Sequence, residues 1–129
     1  LIARVGAPNH PRDLAGKPCI IDTNGRWMSN WAYVESDGET HSVSVSGPIE
    51  VNSPMTARAA AIAGLGFAIL PDFIAQPAID DGILVDFFDE LMLAGGGIYA
   101  VYPHRRYLPA KVRVFVDYLV QWFKAHEKR

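Results

Sequence analysis

Histidine, cysteine and serine are the residues from which this chain would have to build catalysis or a metal centre, and their spacing argues against both. The four histidines, His10, His41, His104 and His126, fall in separate loops, a strand and a helix end. No two stand at metal-ligand spacing, so they read as scattered surface histidines and no metal is expected. Cys19 sits in the apolar run Pro18-Cys19-Ile20-Ile21, without the exposed, electropositive setting that activates a thiolate. As a single cysteine it has no disulfide partner within the chain. Ser53 has neither a nucleophile-elbow context nor a nearby base. No catalytic residue is expected, and the chain is not read as an enzyme.

Two glycine-rich stretches invite a phosphate-binding reading and fail it. Gly64-Leu65-Gly66 closes a helical pattern and opens a strand pattern, whereas the dinucleotide fingerprint follows a strand and opens a helix. Gly95-Gly96-Gly97 lacks the Lys-Ser/Thr of a phosphate loop and reads as a flexible joint. No cofactor is expected.

The chemistry that remains lies at a helix start. Ile49-Glu50-Val51 reads as a short strand, Ser53 as an N-cap and Pro54 as the first residue of an Ala-rich helix that runs through Met55 to Ala63. The first amides of a helix have no intrahelical acceptor, and the helix dipole adds partial positive charge there. The amides of Met55 and Thr56 with the Ser53 hydroxyl therefore suit a carboxylate or other anion, and Asn52 adds an amide beside them. The bland alternative is that Ser53 only caps its own helix, and on the residues alone that use carries more weight. Arg105 and Arg106 read as solvated surface charge. Trp27 and Trp31 read as packing aromatics.

The elements that would position this helix start follow from hydrophobic period and punctuation. His10 to Gly16, with Pro11 near its start, predicts a single helical turn, and Cys19 to Asp22 a buried strand. Trp31–Val34 and His41–Val45 flank Ser36-Asp37-Gly38-Glu39 as a hairpin closed by an Asp-Gly turn, its second strand wet on one face. Leu65 to Leu70 reads as a buried strand, and strand 49–51, helix and strand 65–70 suggest a right-handed crossover with a parallel pair. A helix over Pro71 to Ile79, a strand over Ile83 to Phe88 and a strand over Ile98 to Tyr102 follow. The longest helix runs from Leu108 to about Glu127. Val112, Phe115, Val116, Leu119, Trp122 and Phe123 lie on one face, Arg113, Asp117, Gln121 and Lys124 lie opposite, and Val114 and Tyr118 widen the apolar arc.

Half of the 129 residues are hydrophobic, enough to bury one substantial core and not two. Twelve basic against fourteen acidic residues leave a net charge of -2, whereas a surface that tracks a phosphate backbone needs a basic patch. The chain alone is not expected to hold DNA. No apolar stretch approaches the ~20 residues that span a bilayer, and no export signal stands at the start, so a reducing cytoplasm and no membrane partner are expected. Leu1-Ile2-Ala3-Arg4 reads as the last turn of a helix begun upstream, so the chain is expected to be a piece of something longer.

Read in order, Pro11-Arg12-Asp13-Leu14, Cys19-Ile20, Trp31-Ala32-Tyr33, Gly38, Val51-Asn52-Ser53, Ala59 to Pro71, Gly82-Ile83-Leu84-Val85, Tyr99 to Pro103 and Arg106 to Leu119 resemble the effector-binding domain of LysR-type transcriptional regulators. The resemblance covers nearly the whole chain. A position before the cysteine that is often His in that family is Lys17 here, a departure that bears on packing.

The resemblance implies an α/β fold like a type 2 periplasmic binding protein, with two lobes joined by crossover strands around a small-molecule cleft. Residues 1–96 would be the second lobe, a mixed sheet flanked by helices. Residues 97–129 would supply the return crossover strand and a C-terminal helix belonging to the first lobe. The rest of that lobe and the winged helix-turn-helix have no counterpart in these residues, which would explain the over-wide apolar face of the last helix and predicts self-association. The resemblance places effector contacts at Asn52, Ser53 and Pro54, which shifts the weight at Ser53 towards a ligand and brings Met55 and Thr56 with it. It also puts Gly66, Phe67 and neighbouring Ala68 on the cleft wall. The implied function is sensing of a small, anionic metabolite in a homo-oligomeric regulator that reaches DNA only through its N-terminal domain. A transport-type solute-binding protein of the same fold is the alternative.

Overall fold

A computed structural model of the chain describes residues 1–88, 91–92, 99, 101 and 109–126. The chain divides into two compact units, Leu1–Gly96 and Gly97–Arg129.

The first unit is organised around β1 (Pro18–Asp22), whose middle three residues are buried, as expected of a parallel strand covered on both faces. It pairs in parallel with β4 (Ser46–Val51), Ile20 opposite Ile49 and Asp22 opposite Val51. On its other edge a parallel bridge joins Cys19 to Phe67, where Ile20 N donates to Phe67 O at 2.7 Å and Phe67 N to Pro18 O at 2.9 Å. The expected strand over 65–70 is thus reduced to a single bridge. Segments 49–51 and 65–70 do not pair with each other, because the most apolar strand takes the central place between them. Close approach on both edges depends on glycine. A Cβ at Gly66 would lie 2.7 Å from Pro18 O, and one at Gly47, where the β1–β4 register shifts, would lie 1.7 Å from Cys19 O.

Side chains alternate across these strands. Cys19, Ile21, Phe67 and Ile69 face a core with Leu14, Trp31, Tyr33, Val43 and Val45. Ile20, Val51, Ala68 and Leu70 face the helix α2 (Pro54–Ile62) through Ala57 and Ala60. One face is therefore covered by a helix and the other largely by a hairpin. That hairpin joins β2 (Asn30–Val34) to β3 (Thr40–Ser44) in antiparallel register, Tyr33 opposite His41. Only Val43 is buried on β3, the wet face expected from its serines. The parallel and antiparallel pairings stand in two separate sheets.

The C-terminal end of α2 is fully engaged. Gly64 is left-handed (φ 73), Gly64 N donates to Ala61 O and Leu65 N to Ala60 O, which closes a Schellman motif. Arg4, in the short helix α1 (Ile2–Val5), adds a bond from Nη2 to Gly64 O at 2.8 Å, and Lys17 Nζ in turn caps α1 at Val5 O and Gly6 O. Helix α3 (Asp72–Asp80) ends similarly at left-handed Gly82, and Ile83 N and Leu84 N both donate to Ala78 O. Those amides are spent on the helix end, so the expected strand over 83–88 does not form, and Ile83 and Val85 are exposed.

His10 is not the loose surface histidine expected from the sequence. It caps the 3₁₀ turn Pro11–Leu14, lies edge-on to Tyr33 at 5.5 Å and approaches Glu35 at 3.4 Å. Arg12 joins them, with Nε donating to Tyr33 Oη at 2.9 Å and Nη2 to Glu35 Oε1 at 2.7 Å. The Tyr33 hydrogen bond, then the charge of Glu35, hold the guanidinium above its usual range. His41 stacks on the other side of Tyr33 at 5.8 Å. Trp31 is buried with its Nε1 bonded to Met28 O at 2.8 Å, the packing role expected of it.

In the second unit α4 (Ala110–His126) is the longest helix among the described residues. Val112, Val116 and Leu119 are half-buried, whereas Val114, Phe115, Tyr118, Val120, Trp122 and Phe123 are exposed. The expected joint Gly95–Gly97, most of the strand Ile98–Tyr102, His104, Arg105, Arg106 and Leu108 lie outside the described residues. No described helix is long and apolar enough to cross a membrane.

Candidate functional site

The chain leaves β4 at Val51, paired with the last residue of β1, and turns through Asn52 and Ser53 into α2. The helix start therefore stands at the carboxyl edge of the parallel strands, where α/β sheets present their ligand crevices. Ser53 holds the extended backbone of an N-cap (φ -147, ψ 128), and its carbonyl accepts the amide of Ala57 at 2.9 Å. Its side chain makes no capping hydrogen bond. This corrects the capping half of the sequence reading: Ser53 takes the cap position without spending its hydroxyl on it. Pro54 has no N–H, and the amides of Ser53, Met55 and Thr56 find no acceptor among the described residues. Ser53 and Pro54 are half-buried, while Asn52, Met55 and Thr56 are exposed.

The carbonyls on the approach to the helix are occupied from one side. Thr23 donates its amide (2.7 Å) and its Oγ1 (3.0 Å) to Val51 O, and Asn24 Nδ2 donates to Asn52 O at 2.6 Å. The residues thus leave a first turn whose acceptors are satisfied and whose donors are free, an arrangement that can take an anion. Sequence reasoning missed this bracing loop, because no local pattern links positions 23 and 24 to 51 and 52.

It also missed Arg58, whose Nε is enclosed without a hydrogen-bond partner. Arg58 stands four residues after Pro54, and helical side chains lean towards the N-terminus, so the spacing by itself makes it a candidate for the same helix start. A buried donor without an acceptor is costly and calls for an explanation.

Gly66 and Phe67 are not gathered with residues 52–56. They lie beside Pro18, Cys19 and Ile20, roughly three residues or 10 Å down the sheet from Asp22 at the strand rise of ~3.3 Å. Phe67 is half-buried and meets Phe87 edge-on at 5.9 Å.

Among the described residues no three His, Cys, Asp or Glu side chains come together as a metal site. Burial pushes the Cys19 thiol up to about 12, far from a reactive thiolate.

An α/β lobe that delivers an open helix start to the carboxyl edge of its parallel strands has the architecture of a ligand-binding lobe. The comparisons make the class specific. The family model described as LysR substrate binding domain matches residues 1–124, and the chain belongs to that family. It is 33% identical over 109 residues to the HTH-type transcriptional regulator PtxR of Pseudomonas aeruginosa, covering 84% of this chain and 35% of that protein. To the HTH-type transcriptional regulator DmlR of Escherichia coli it is 31% identical over 126 residues, covering 97% of this chain and 40% of that one. The regulatory domain of AphB in Vibrio vulnificus superposes with a TM-score of 0.65 at 27% identity, covering 94% of this chain and 59% of that domain. The fold is thus the α/β fold of LysR-type regulatory domains, and the chain spans about two fifths or less of the length of these two regulators.

Proposed function

We propose that this chain is the effector-sensing part of a LysR-type transcription regulator and that its effector carries an anionic group held at the start of α2. The observation that carries the reading is the uncommitted first turn, with the Ser53 hydroxyl and three amides unspent while the backbone carbonyls of Val51, Asn52 and Ser53 are bonded. The enclosed, unpartnered Nε of Arg58 on the same helix supports a negative ligand. The names of the relatives support the regulatory role.

In this reading residues 1–96 are one lobe of the effector domain, and 97–129 supply a crossover strand and a helix to the other. Asn52, Ser53, Pro54, Met55 and Thr56 contact the effector, and Gly66 and Phe67 belong to the cleft wall. Effector binding shifts the balance between lobe arrangements. DNA is reached only through a separate N-terminal domain, the regulator is a homo-oligomer in the cytoplasm, and the chain performs no catalysis.

The test is Ser53→Asp in the intact regulator, screened against a panel of small carboxylates by thermal unfolding. A bound ligand at a hundredfold its Kd adds about 2.7 kcal/mol of stability, a readily measured shift. The aspartate suits the positive helix end and should fold as well as the parent, yet it places a like charge where the ligand's carboxylate sits. The expected result is a stable variant that no longer responds to any carboxylate that stabilises the parent. A stable variant with an unchanged response overturns the assignment.

A further inference from the structure

The loop that leaves β1 is fastened to the chain that leaves β4 by two kinds of tie. Thr23 holds the Val51 carbonyl with its amide and its hydroxyl, and Asn24 holds the Asn52 carbonyl through Nδ2 at 2.6 Å. The ties differ in what they orient. A trans peptide is planar and sets the N–H of each residue antiparallel to the preceding carbonyl. With the Asn52 carbonyl drawn onto Asn24, the Ser53 amide is turned away from Asn24, and it has no acceptor among the described residues. Because Pro54 contributes no N–H, this amide is the donor that extends the set formed by Met55, Thr56 and the Ser53 hydroxyl. The Thr23 ties act one residue earlier, on the peptide that ends β4.

We infer that Asn24 is a positioning residue of the α2 site, aiming the Ser53 amide at the bound anion through its grip on the Asn52 carbonyl. This rests on the reading of the α2 start as an anion site. A residue that merely tied two loops together would affect stability and leave anion binding alone.

Acetate, the simplest carboxylate, is the probe. It is titrated at constant ionic strength into the 15N-labelled chain while the amide resonances of Ser53, Met55 and Thr56 are followed. In the parent all three shift saturably. In Asn24→Ala the Ser53 shift is lost and acetate affinity falls about fivefold, the size of one hydrogen bond. Thr23→Val, which cuts a tie in the same loop but leaves the Asn52 carbonyl held, keeps affinity within about twofold even if it lowers the unfolding midpoint. Asn24→Leu, which keeps side-chain bulk without a donor, gives the same result as alanine and serves if the smaller side chain loosens the loop. An Asn24 variant that binds acetate like the parent with the Ser53 shift intact overturns the positioning role while the anion site stands. A parent chain without saturable shifts at these amides overturns the anion site, and the positioning role with it.

Discussion

Two helical segments of the first unit begin with the same words, a polar residue followed by proline, and end in opposite states. At His10-Pro11 the capping arrangement is complete: Arg12 N donates to His10 Nδ1, and His10 N and Asn9 N donate to Asp13 Oδ2. At Ser53-Pro54 the side chain accepts nothing, and the first-turn amides find no acceptor among the described residues. Within α2 the contrast repeats end to end, since its C-terminus is closed by Gly64, Leu65 and Arg4. The start of α3 at Pro71 also lacks a side-chain cap, so what sets the Ser53 start apart is a serine in the cap position that makes no cap bond, beside carbonyls held by Thr23 and Asn24. The difference separates a start closed on its own side chains from one whose serine makes no cap bond, the start at which we propose the ligand is held.

The largest expected effect breaks the frame that holds both starts in place. Gly47→Ala puts a Cβ within 1.7 Å of Cys19 O, and because backbone must move to admit it the cost should be about 3 kcal/mol or more. Urea unfolding measures this, and a near-parental midpoint would show that the β1–β4 register is looser than described.

The closed start comes next. Backbone hydrogen bonds from Asn9, then His10, hold the Asp13 carboxyl below its usual range. A carboxyl whose folded value is depressed adds stability that is present above its unfolded value and is lost as pH falls through the folded one. Asp13→Ala should therefore be less stable than the parent at neutral pH and show a shallower loss below the ordinary carboxylate range. Parallel stability curves for the two proteins from about pH 7 to about pH 3, across the ordinary carboxylate range, would refute the closed capping arrangement.

The open start predicts smaller changes in stability. Arg58→Met removes a donor whose burial is uncompensated, so stability should hold or rise by about 1 kcal/mol, while carboxylate binding weakens. A marked loss of stability would show that Arg58 has a structural task instead. The smallest effect belongs to Ser53→Ala: a working serine cap is worth about 1 kcal/mol, and this one, with no cap bond, should cost less than about 0.5 kcal/mol. A full capping penalty would mean the hydroxyl is engaged after all and would erase the contrast between the two starts.

Local grammar made much of the first unit legible. The apolar run at Cys19–Asp22, the alternating valines of β3, the Asp-Gly turn and the Ser53-Pro54 start each encode an element in residues that touch one another along the chain, and each is found with its bounds moved by a residue or two. The strand expected over 83–88 failed because its first amides are claimed by Ala78, a bond decided by where α3 ends and not by β propensity. Pairing was equally illegible, since 49–51 and 65–70 both looked like neighbours of one crossover until β1 took the place between them.

The chain by itself determined that a helix starts at Pro54, because proline fixes φ there and has no N–H to waste, and its family followed from the order of its motifs. Whether Ser53 would close that start on itself was beyond the sequence, since a cap and an open site use the same residues. Only the tertiary structure decided it, leaving the Ser53 side chain without a cap bond and bringing Thr23 and Asn24, 28 residues away from the carbonyls they hold, to satisfy the acceptors beside the turn.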